Sequence, residues 1–193
     1  MKKSARKPAR RRTSSPATKL ARGTKVKVLF TEQQIRKRVR ELAAQLNREL
    51  GQNPVLIVSV LENAFVFTAD LIRALKGPVY CSFVRADIRD SAVGGVQTRE
   101  ITYTPSVHAS GKDVILVDGI LQSGMTFDHL YRYLTGQGPS SLRTMVLVEK
   151  TDERKVDLPL DFVGFKATGN FVVGYGLGQD GKYKNLSYIG QLG

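Results

Sequence analysis

Residues 114–126 read Val-Ile-Leu-Val-Asp-Gly-Ile-Leu-Gln-Ser-Gly-Met-Thr, and no other part of the chain is as informative. Four apolar residues, typical of a strand covered on both faces, lead to Asp118. A short Gly/Ser/Thr loop follows, and helical spacing begins behind it. Such a loop at the carboxyl end of a parallel strand points backbone N–H groups toward a ligand at the positive end of a helix. The stretch therefore predicts a strand, an anion-binding loop and a helix in succession.

The chain on either side of this stretch alternates between helix and strand signals. Thr31 and Gln34 form a capping box, and apolar residues at helical spacing follow it at 35, 39, 42 and 46. Strand signals lie at 54–60, 79–83, 145–148, 162–165 and 171–176, and helical patterns at 65–75 and 127–134. This order predicts an α/β fold with a twisted, mostly parallel sheet flanked by helices, and ligands outside the strand carboxyl ends.

One long connection interrupts the alternation. Residues 87–110 are polar and contain two glycines. A segment of this length between regular elements is usually functional, so we expect a mobile loop or a hairpin over the site.

Composition narrows the class of protein. A chain of 193 residues fits one domain with a proper core. Its one cysteine, Cys81, excludes an internal disulfide, and there is no Cys/His cluster of the kind that holds zinc. No apolar run reaches membrane-spanning length, and the amino terminus lacks a signal-peptide core. We therefore expect a cytoplasmic protein with no membrane partner.

The net charge of +13 is concentrated at the amino terminus. Eleven of the 30 basic residues precede residue 28, and no acidic residue does. The other 19 basic residues are nearly balanced by all 17 acidic ones. Residues 1–27 hold too little apolar surface to fold, so we expect a disordered basic tail followed by one domain at 28–193. The tail is either an arm that binds a polyanion, such as nucleic acid or an acidic partner, or a solvated extension.

Three collinear segments resemble the hypoxanthine-guanine phosphoribosyltransferases. Residues 114–126 resemble their ribose-phosphate signature, 54–75 their pyrophosphate loop and its flanking elements, and 161–190 their purine-binding end. The match runs from about Val28 to Leu192. The resemblance implies a type I phosphoribosyltransferase-like fold with a small hood region, a homo-oligomer (dimer or tetramer), and Mg²⁺ as cofactor if the enzyme is active.

Positions that agree with the family surround a nucleoside monophosphate. Ser123, Gly124, Met125 and Thr126 match the 5′-phosphate loop, and Lys150 matches the lysine near the exocyclic oxygen of a 6-oxopurine. Phe171 matches the aromatic that stacks on the purine; the alternatives are a core aromatic for Phe171 and a solvated strand-end charge for Lys150. The nucleotide-binding set that the resemblance implies is Asp118, Gly119, Gln122, Ser123, Gly124, Met125, Thr126, Lys150, Phe171 and Val172.

Departures from the family lie around the pyrophosphate and the metal. Glu62 stands where the family has a lysine, and Leu61-Glu62-Asn63-Ala64 replaces Leu-Lys-Gly-Gly, so the unusual cis peptide of that loop has less reason to persist. Lys184 replaces an arginine and loses its planar fork. The family's Ser-Tyr pair in the mobile loop is not evident near residues 86–88. The degenerate pyrophosphate side is thus Leu61, Glu62, Asn63 and Lys184.

Three further departures remove carboxylates. Gly119 replaces the second acid after the strand, Gln122 replaces the loop acid at the catalytic base position, and Gly178 replaces an aspartate that helps to hold magnesium. Gln122 can hydrogen-bond a purine ring but cannot accept its proton as a carboxylate would. No metal site is therefore predicted, and no cofactor other than Mg²⁺ in an active enzyme.

Two functions remain open. The favoured one is a protein that binds a 6-oxopurine nucleoside monophosphate (GMP or IMP), with phosphoribosyl transfer weak or lost and a possible regulatory role. The alternative is an active hypoxanthine-guanine phosphoribosyltransferase of purine salvage, in which Asp87, Asp90 or Asp180 meets the metal and proton chemistry. A purely structural role explains the phosphate loop and base-stacking residues least well.

The tail prediction can be tested by truncation. A chain that begins near Val28 should bind DNA or RNA more weakly than the full chain. The full chain's affinity should fall steeply between low and physiological salt, because each engaged phosphate releases counterions. Equal affinity of the two chains in a salt titration would exclude a binding arm.

Overall fold

The computed structural model describes residues 25–93, 96–104, 107–169, 171–178 and 181–193, with only the backbone for 86–93 and 96–104. In chain order these residues form β1 (Val26–Phe30), α1 (Glu32–Leu50), β2 (Val55–Leu61), α2 (Phe65–Ala74), β3 (Val79–Val93), β4 (Val96–Thr104), β5 (Asp113–Leu121), α3 (Met125–Thr135), β6 (Ser141–Lys150), β7 (Phe162–Ala167), β8 (Val172–Val173) and β9 (Ile189–Leu192). No helix among them is long and apolar enough to cross a membrane.

The central sheet has the strand order β4-β3-β2-β5-β6-β7. Strands β3, β2, β5, β6 and β7 run parallel, and β4 pairs antiparallel with β3. The predicted twisted, mostly parallel sheet is confirmed. The segment that was expected to be a mobile loop or a hairpin contributes β4, so its backbone forms a hairpin with the end of β3.

Helices cover both faces of this sheet. On β5, Ile115 and Val117 pack toward the cluster that contains α1 and α2, whereas Val114 and Leu116 pack toward the cluster that contains α3. Alternate residues of the strand thus pack into two cores, one on each face of the sheet, which explains why residues 114–117 are all apolar. Helix α1 begins at the predicted capping box: Gln34 N–H donates to Thr31 Oγ1, and Thr31 N–H donates to Gln34 Oε1 at 2.8 Å.

A small second sheet forms the hood, with the antiparallel order β1-β9-β8. Val26 pairs with Leu192 and Lys27 with Gln191, so β1 begins two residues before the predicted domain boundary at residue 28. A truncation that tests the tail should therefore start at Lys25. The hood is tied to α2 by the Tyr175 hydroxyl, which donates to Asp70 Oδ2 at 2.5 Å. The predicted tail, apart from residues 25–27, lies outside the described residues.

Candidate functional site

Two loops meet at the carboxyl edge of the sheet, one after β2 and one after β5. Because β2 and β5 are parallel neighbours, with Val55 opposite Asp113 and Ser59 opposite Val117, both strands end on the same side. A cavity of about 210 Å³ lies between the loops. Of the predicted site residues, it is lined by Leu61, Asn63, Asp118, Gln122, Ser123, Gly124 and Thr126. The structure thus brings the predicted phosphate loop and part of the predicted pyrophosphate loop to one cavity.

The loop before α3 has the geometry of an anion cradle. Gly124 caps the helix with φ of 79°, a left-handed conformation that favours glycine, and its Cα packs against the Val156 side chain. The amide of Met125 donates to Ser123 Oγ at 3.5 Å. Within the described residues, the amides of Gly124, Thr126 and Phe127 donate to no protein acceptor. Free amides at the positive end of a helix favour an anion here.

Residues 154–156, which follow β6, hold the loop before α3 in place. The sequence analysis did not predict this role. Lys155 N–H donates to the Ser123 carbonyl at 3.0 Å. Arg154 fixes the segment, since it donates to Glu149 Oε1 at 2.9 Å and to the Val156 carbonyl at 3.0 Å. Glu149 is only 6% exposed, so this ion pair is largely shielded from water. Nothing in the spacing of Glu149 and Arg154 indicates the contact.

Asp118 ends the well-covered part of β5 and faces the cavity. One of its carboxylate oxygens accepts from the amide of Gly119 at 2.6 Å. Burial of the side chain raises the pKa of Asp118 to about 7, although the amide hydrogen bonds lower it in part. Asp118 can therefore be either protonated or charged at neutral pH, and it can bind a hydroxyl group in either state.

Gly119 lies against the backbone of the neighbouring loop. A Cβ at this position would overlap the carbonyl group of Asn63 and would lie 2.9 Å from the Leu177 side chain. Gly178 is obstructed in the same way: a Cβ there would overlap the Lys182 carbonyl and lie 3.3 Å from Lys184 Cγ. At both positions where the family resemblance implies a carboxylate, backbone atoms fill the space that a side chain would need.

The obstructions at Gly119 and Gly178 limit the number of carboxylates that could contact a magnesium ion. Among the described residues, no group of three or more His, Cys, Asp or Glu side chains could hold a metal ion. Asp118 is the one carboxylate lining the described cavity. Mg²⁺ usually binds through one or two carboxylates together with water and substrate phosphates, and Asp118 is the described residue of this cavity that would contact it. The side chains of Asp87, Asp90 and Asp180, which the alternative function invokes, lie outside the described residues.

The predicted pyrophosphate side mixes charges of both signs. Glu62 Oε1 lies 4.0 Å from Arg85 Nη1, and both side chains are largely exposed. Lys184 Nζ donates to Asn63 Oδ1 at 2.9 Å and to the Gly176 carbonyl at 3.0 Å. Burial lowers the pKa of Lys184, and the charge of Glu62 raises it in part. The Leu61–Glu62 peptide is cis, although the substitutions in this loop give that conformation less reason to persist.

The predicted base contacts lie at the end of β6 and at the hood. Lys150 is 1% exposed, which contradicts the alternative of a solvated charge. Its Nζ donates to Glu153 Oε1 at 2.5 Å and to the Gly169 carbonyl. Phe171 is 55% exposed and so is not a core aromatic, whereas the Val172 side chain is buried and its backbone pairs with Gln191. The polar partners of Lys150 could not be predicted from the sequence.

Comparison with known proteins identifies the family that has this fold and site. The phosphoribosyl transferase domain matches residues 25–180. A hypoxanthine-guanine phosphoribosyltransferase of Aquifex aeolicus is 37% identical over 169 residues, which cover 87% of this chain and 95% of that protein. The chain belongs to the hypoxanthine-guanine phosphoribosyltransferase family. The Bacillus subtilis member is 34% identical and covers 86% of this chain and 92% of its own length.

Solved structures of the family agree with the fold. A hypoxanthine-guanine phosphoribosyltransferase from Bacillus anthracis superposes with a TM-score of 0.75 at 35% identity, covering 88% of this chain and 98% of that one. A Trypanosoma cruzi hypoxanthine phosphoribosyltransferase variant in a ternary substrates complex gives a TM-score of 0.77 at 31% identity, covering 88% and 96%. The type I phosphoribosyltransferase fold predicted from the sequence is therefore confirmed.

The closure at Gly119 can be tested by stability. Gly119→Ala should destabilise the protein by about 1–3 kcal/mol, the usual cost of overpacking, because the obstructing atoms belong to the Asn63 backbone. Gly136→Ala is the matched control: its Cβ would be 3.5 Å from the Tyr133 carbonyl, an ordinary contact. This control should change stability by less than about 0.5 kcal/mol. Equal unfolding free energies for the two variants in denaturant titrations would show that the Asn63 loop moves aside at little cost in free energy.

Proposed function

We propose that this family member binds a 6-oxopurine nucleoside monophosphate and that its phosphoribosyl transfer is weak or lost. The observation that carries the proposal is an asymmetry of the site. The amide cradle before α3 is complete, whereas the two glycines at carboxylate positions, Gly119 and Gly178, have no room for a side chain. A regulatory role, in which the bound nucleotide is a signal, is consistent with such a site.

The loop before α3 can bind a 5′-phosphate without a metal ion. The free amides of Gly124 and Thr126 can donate to phosphate oxygens, and the Ser123 and Thr126 hydroxyls add further donors. Asp118 lies beside them and can hold a ribose hydroxyl. We assign the purine base to Lys150, at the end of β6, and to the exposed aromatic ring of Phe171.

The donor end lacks what transfer from phosphoribosyl pyrophosphate requires. The reaction needs the departing pyrophosphate to be stabilised and a base near purine N7. Gln122 has no carboxylate to accept that proton, which typically costs ~10²–10⁴ in rate. Glu62 brings a negative charge to the anion's end of the site, and the nearby Arg85 and Lys184 compensate for it only in part.

An active enzyme remains the second candidate, and two observations favour it. Its relatives are hypoxanthine-guanine phosphoribosyltransferases over nearly their whole length. Asp118, with a pKa of about 7, is a possible proton acceptor at neutral pH in the same cavity. In that case the protein makes IMP or GMP in purine salvage. Under either function we propose a cytoplasmic homo-oligomer, a dimer or tetramer, whose basic tail binds a polyanion such as nucleic acid.

Calorimetry with separate ligands tests the proposal. GMP or IMP should bind measurably, and Mg²⁺ should change that affinity little, since amides and hydroxyls hold the phosphate. Phosphoribosyl pyrophosphate should bind at least about tenfold more weakly, a difference of ~1.4 kcal/mol, with or without Mg²⁺. Tight, Mg²⁺-dependent binding of the donor would overturn the proposal and favour the active enzyme.

Restoring side chains refines this test within the same titrations. Glu62→Lys with Gln122→Asp should raise donor affinity more than monophosphate affinity. From the sequence alone, Gly178→Asp would be added to them. Because a Cβ at 178 overlaps the Lys182 carbonyl, this third change should destabilise the protein and give no further gain. A clear additional gain from Gly178→Asp would show that the loop adapts.

A further inference from the structure

The guanidinium of Arg154 fixes the chain that follows β6, residues 154–158, against the sheet. It donates to Glu149 Oε1 at 2.9 Å, to the Val156 carbonyl at 3.0 Å and to the Leu158 carbonyl. Glu149 belongs to β6, and Leu158 is buried in the cluster that contains α3. One side chain therefore joins a central strand to two backbone carbonyls of the 154–158 segment.

The 154–158 segment contacts the loop before α3 at one peptide unit, the one between Ser123 and Gly124. Lys155 N–H donates to the Ser123 carbonyl at 3.0 Å. A Cβ at residue 124 would lie 2.6 Å from Val156 Cγ2, so the Val156 side chain lies directly against this glycine. The contacts hold the carbonyl oxygen and the Cα that follows it, and together they restrict rotation of the peptide plane.

The orientation of this peptide decides where one amide of the anion cradle points. In a trans peptide the N–H points away from the C=O. Because the Ser123 carbonyl points at Lys155, the Gly124 N–H points away from the 154–158 segment. Gly124 lines the cavity, and its amide donates to no acceptor among the described residues. This amide is therefore held ready for an anion by a hydrogen bond on the opposite side of its peptide.

We propose that Arg154 is a positioning residue that sets the affinity of the cradle for phosphate without touching the ligand. Arg154 is not one of the residues that line the cavity. Without its three hydrogen bonds, the 154–158 segment can move, the Ser123–Gly124 peptide can rotate, and the bond from Gly124 N–H to a phosphate oxygen weakens. The inference rests on the proposed function for the identity of the ligand, a nucleoside monophosphate.

Attraction between the charge of Arg154 and a phosphate is the competing explanation. Glu149 is 6% exposed and pairs with Arg154, so its carboxylate offsets much of that charge. Arg154→Lys separates the two explanations, because lysine keeps the charge but lacks the planar fork that reaches several acceptors at once. A positioning role predicts that the lysine variant loses phosphate affinity, whereas attraction by charge predicts that it keeps it.

The test uses the full chain with two probes, GMP and inorganic phosphate. Calorimetry measures GMP, and the Gly124 amide resonance in ¹⁵N NMR spectra follows a titration with inorganic phosphate, which distinguishes the cradle from phosphate bound by the basic tail. Arg154→Met and Arg154→Lys should each weaken both probes about tenfold, the scale of one charge-assisted hydrogen bond. The NMR titration reports on folded molecules, so a variant that is merely less stable would keep its phosphate affinity. Arg154→Lys also covers the case in which Arg154→Met fails to fold.

Arg143→Met is the matched control. Arg143 lies near the start of the same strand, and its Nε is 3.0 Å from Glu49 Oε2, so the control removes a similar ion pair far from the cradle. It should leave the affinity for both probes unchanged.

The outcomes separate this inference from the proposed function. Unchanged phosphate affinity in the Arg154 variants, a loss in Arg154→Met but not in Arg154→Lys, or an equal loss in Arg143→Met would overturn the positioning role. Phosphate binding that depends on Arg154, without any GMP binding, would overturn only the proposed function. A Gly124 amide that responds to neither probe in the unmodified chain would overturn both.

Discussion

The site depends on one close approach of backbone to backbone: the Asn63 carbonyl lies against Cα of Gly119. The two residues belong to loops that follow β2 and β5, which are parallel neighbours in the middle of the sheet. Their register fixes where both loops begin, so separating the loops would cost ladder hydrogen bonds or core contacts. The chain therefore keeps a cavity bounded by these loops but has no room for a side chain at residue 119.

The two loops on either side of this contact differ in the charges that they present to a ligand. The anion cradle consists of amides, which bind phosphate without a metal and at any physiological pH. Beyond Asn63, Lys184 is held by neutral oxygens, and Glu62 places a carboxylate within reach of both Lys184 and Arg85. Pyrophosphate carries several negative charges, and its electrostatic attraction to a group of positive and negative side chains is weaker than its attraction to a lysine and a bound metal ion. This difference in charge between the amide cradle and the predicted pyrophosphate side is why we propose nucleotide binding with weak or lost phosphoribosyl transfer.

The sequence predicts the sheet and the cradle because their signals are local. Apolar runs such as residues 114–117 and the Thr31–Gln34 capping box depend on neighbours a few positions away. The domain boundary was placed at residue 28, two residues inside β1, because residues 25–27 continue the strongly basic segment and the pairing of Val26 with Leu192 cannot be read from neighbouring residues. The obstruction at Gly119 and the burial of Lys150 beside Glu153 were not predictable. Each depends on atoms that only the folded loops bring together.

The most direct measurement is the rate of GMP formation from guanine and phosphoribosyl pyrophosphate with Mg²⁺. It should be made under single-turnover conditions beside the Bacillus anthracis relative, so that product release does not mask the chemical step. With no carboxylate at residue 122 and none at the two closed glycines, we predict a rate at least ~10² lower than that of the relative. A rate within about tenfold of the relative, a difference below ~1.4 kcal/mol in activation free energy, would contradict the account.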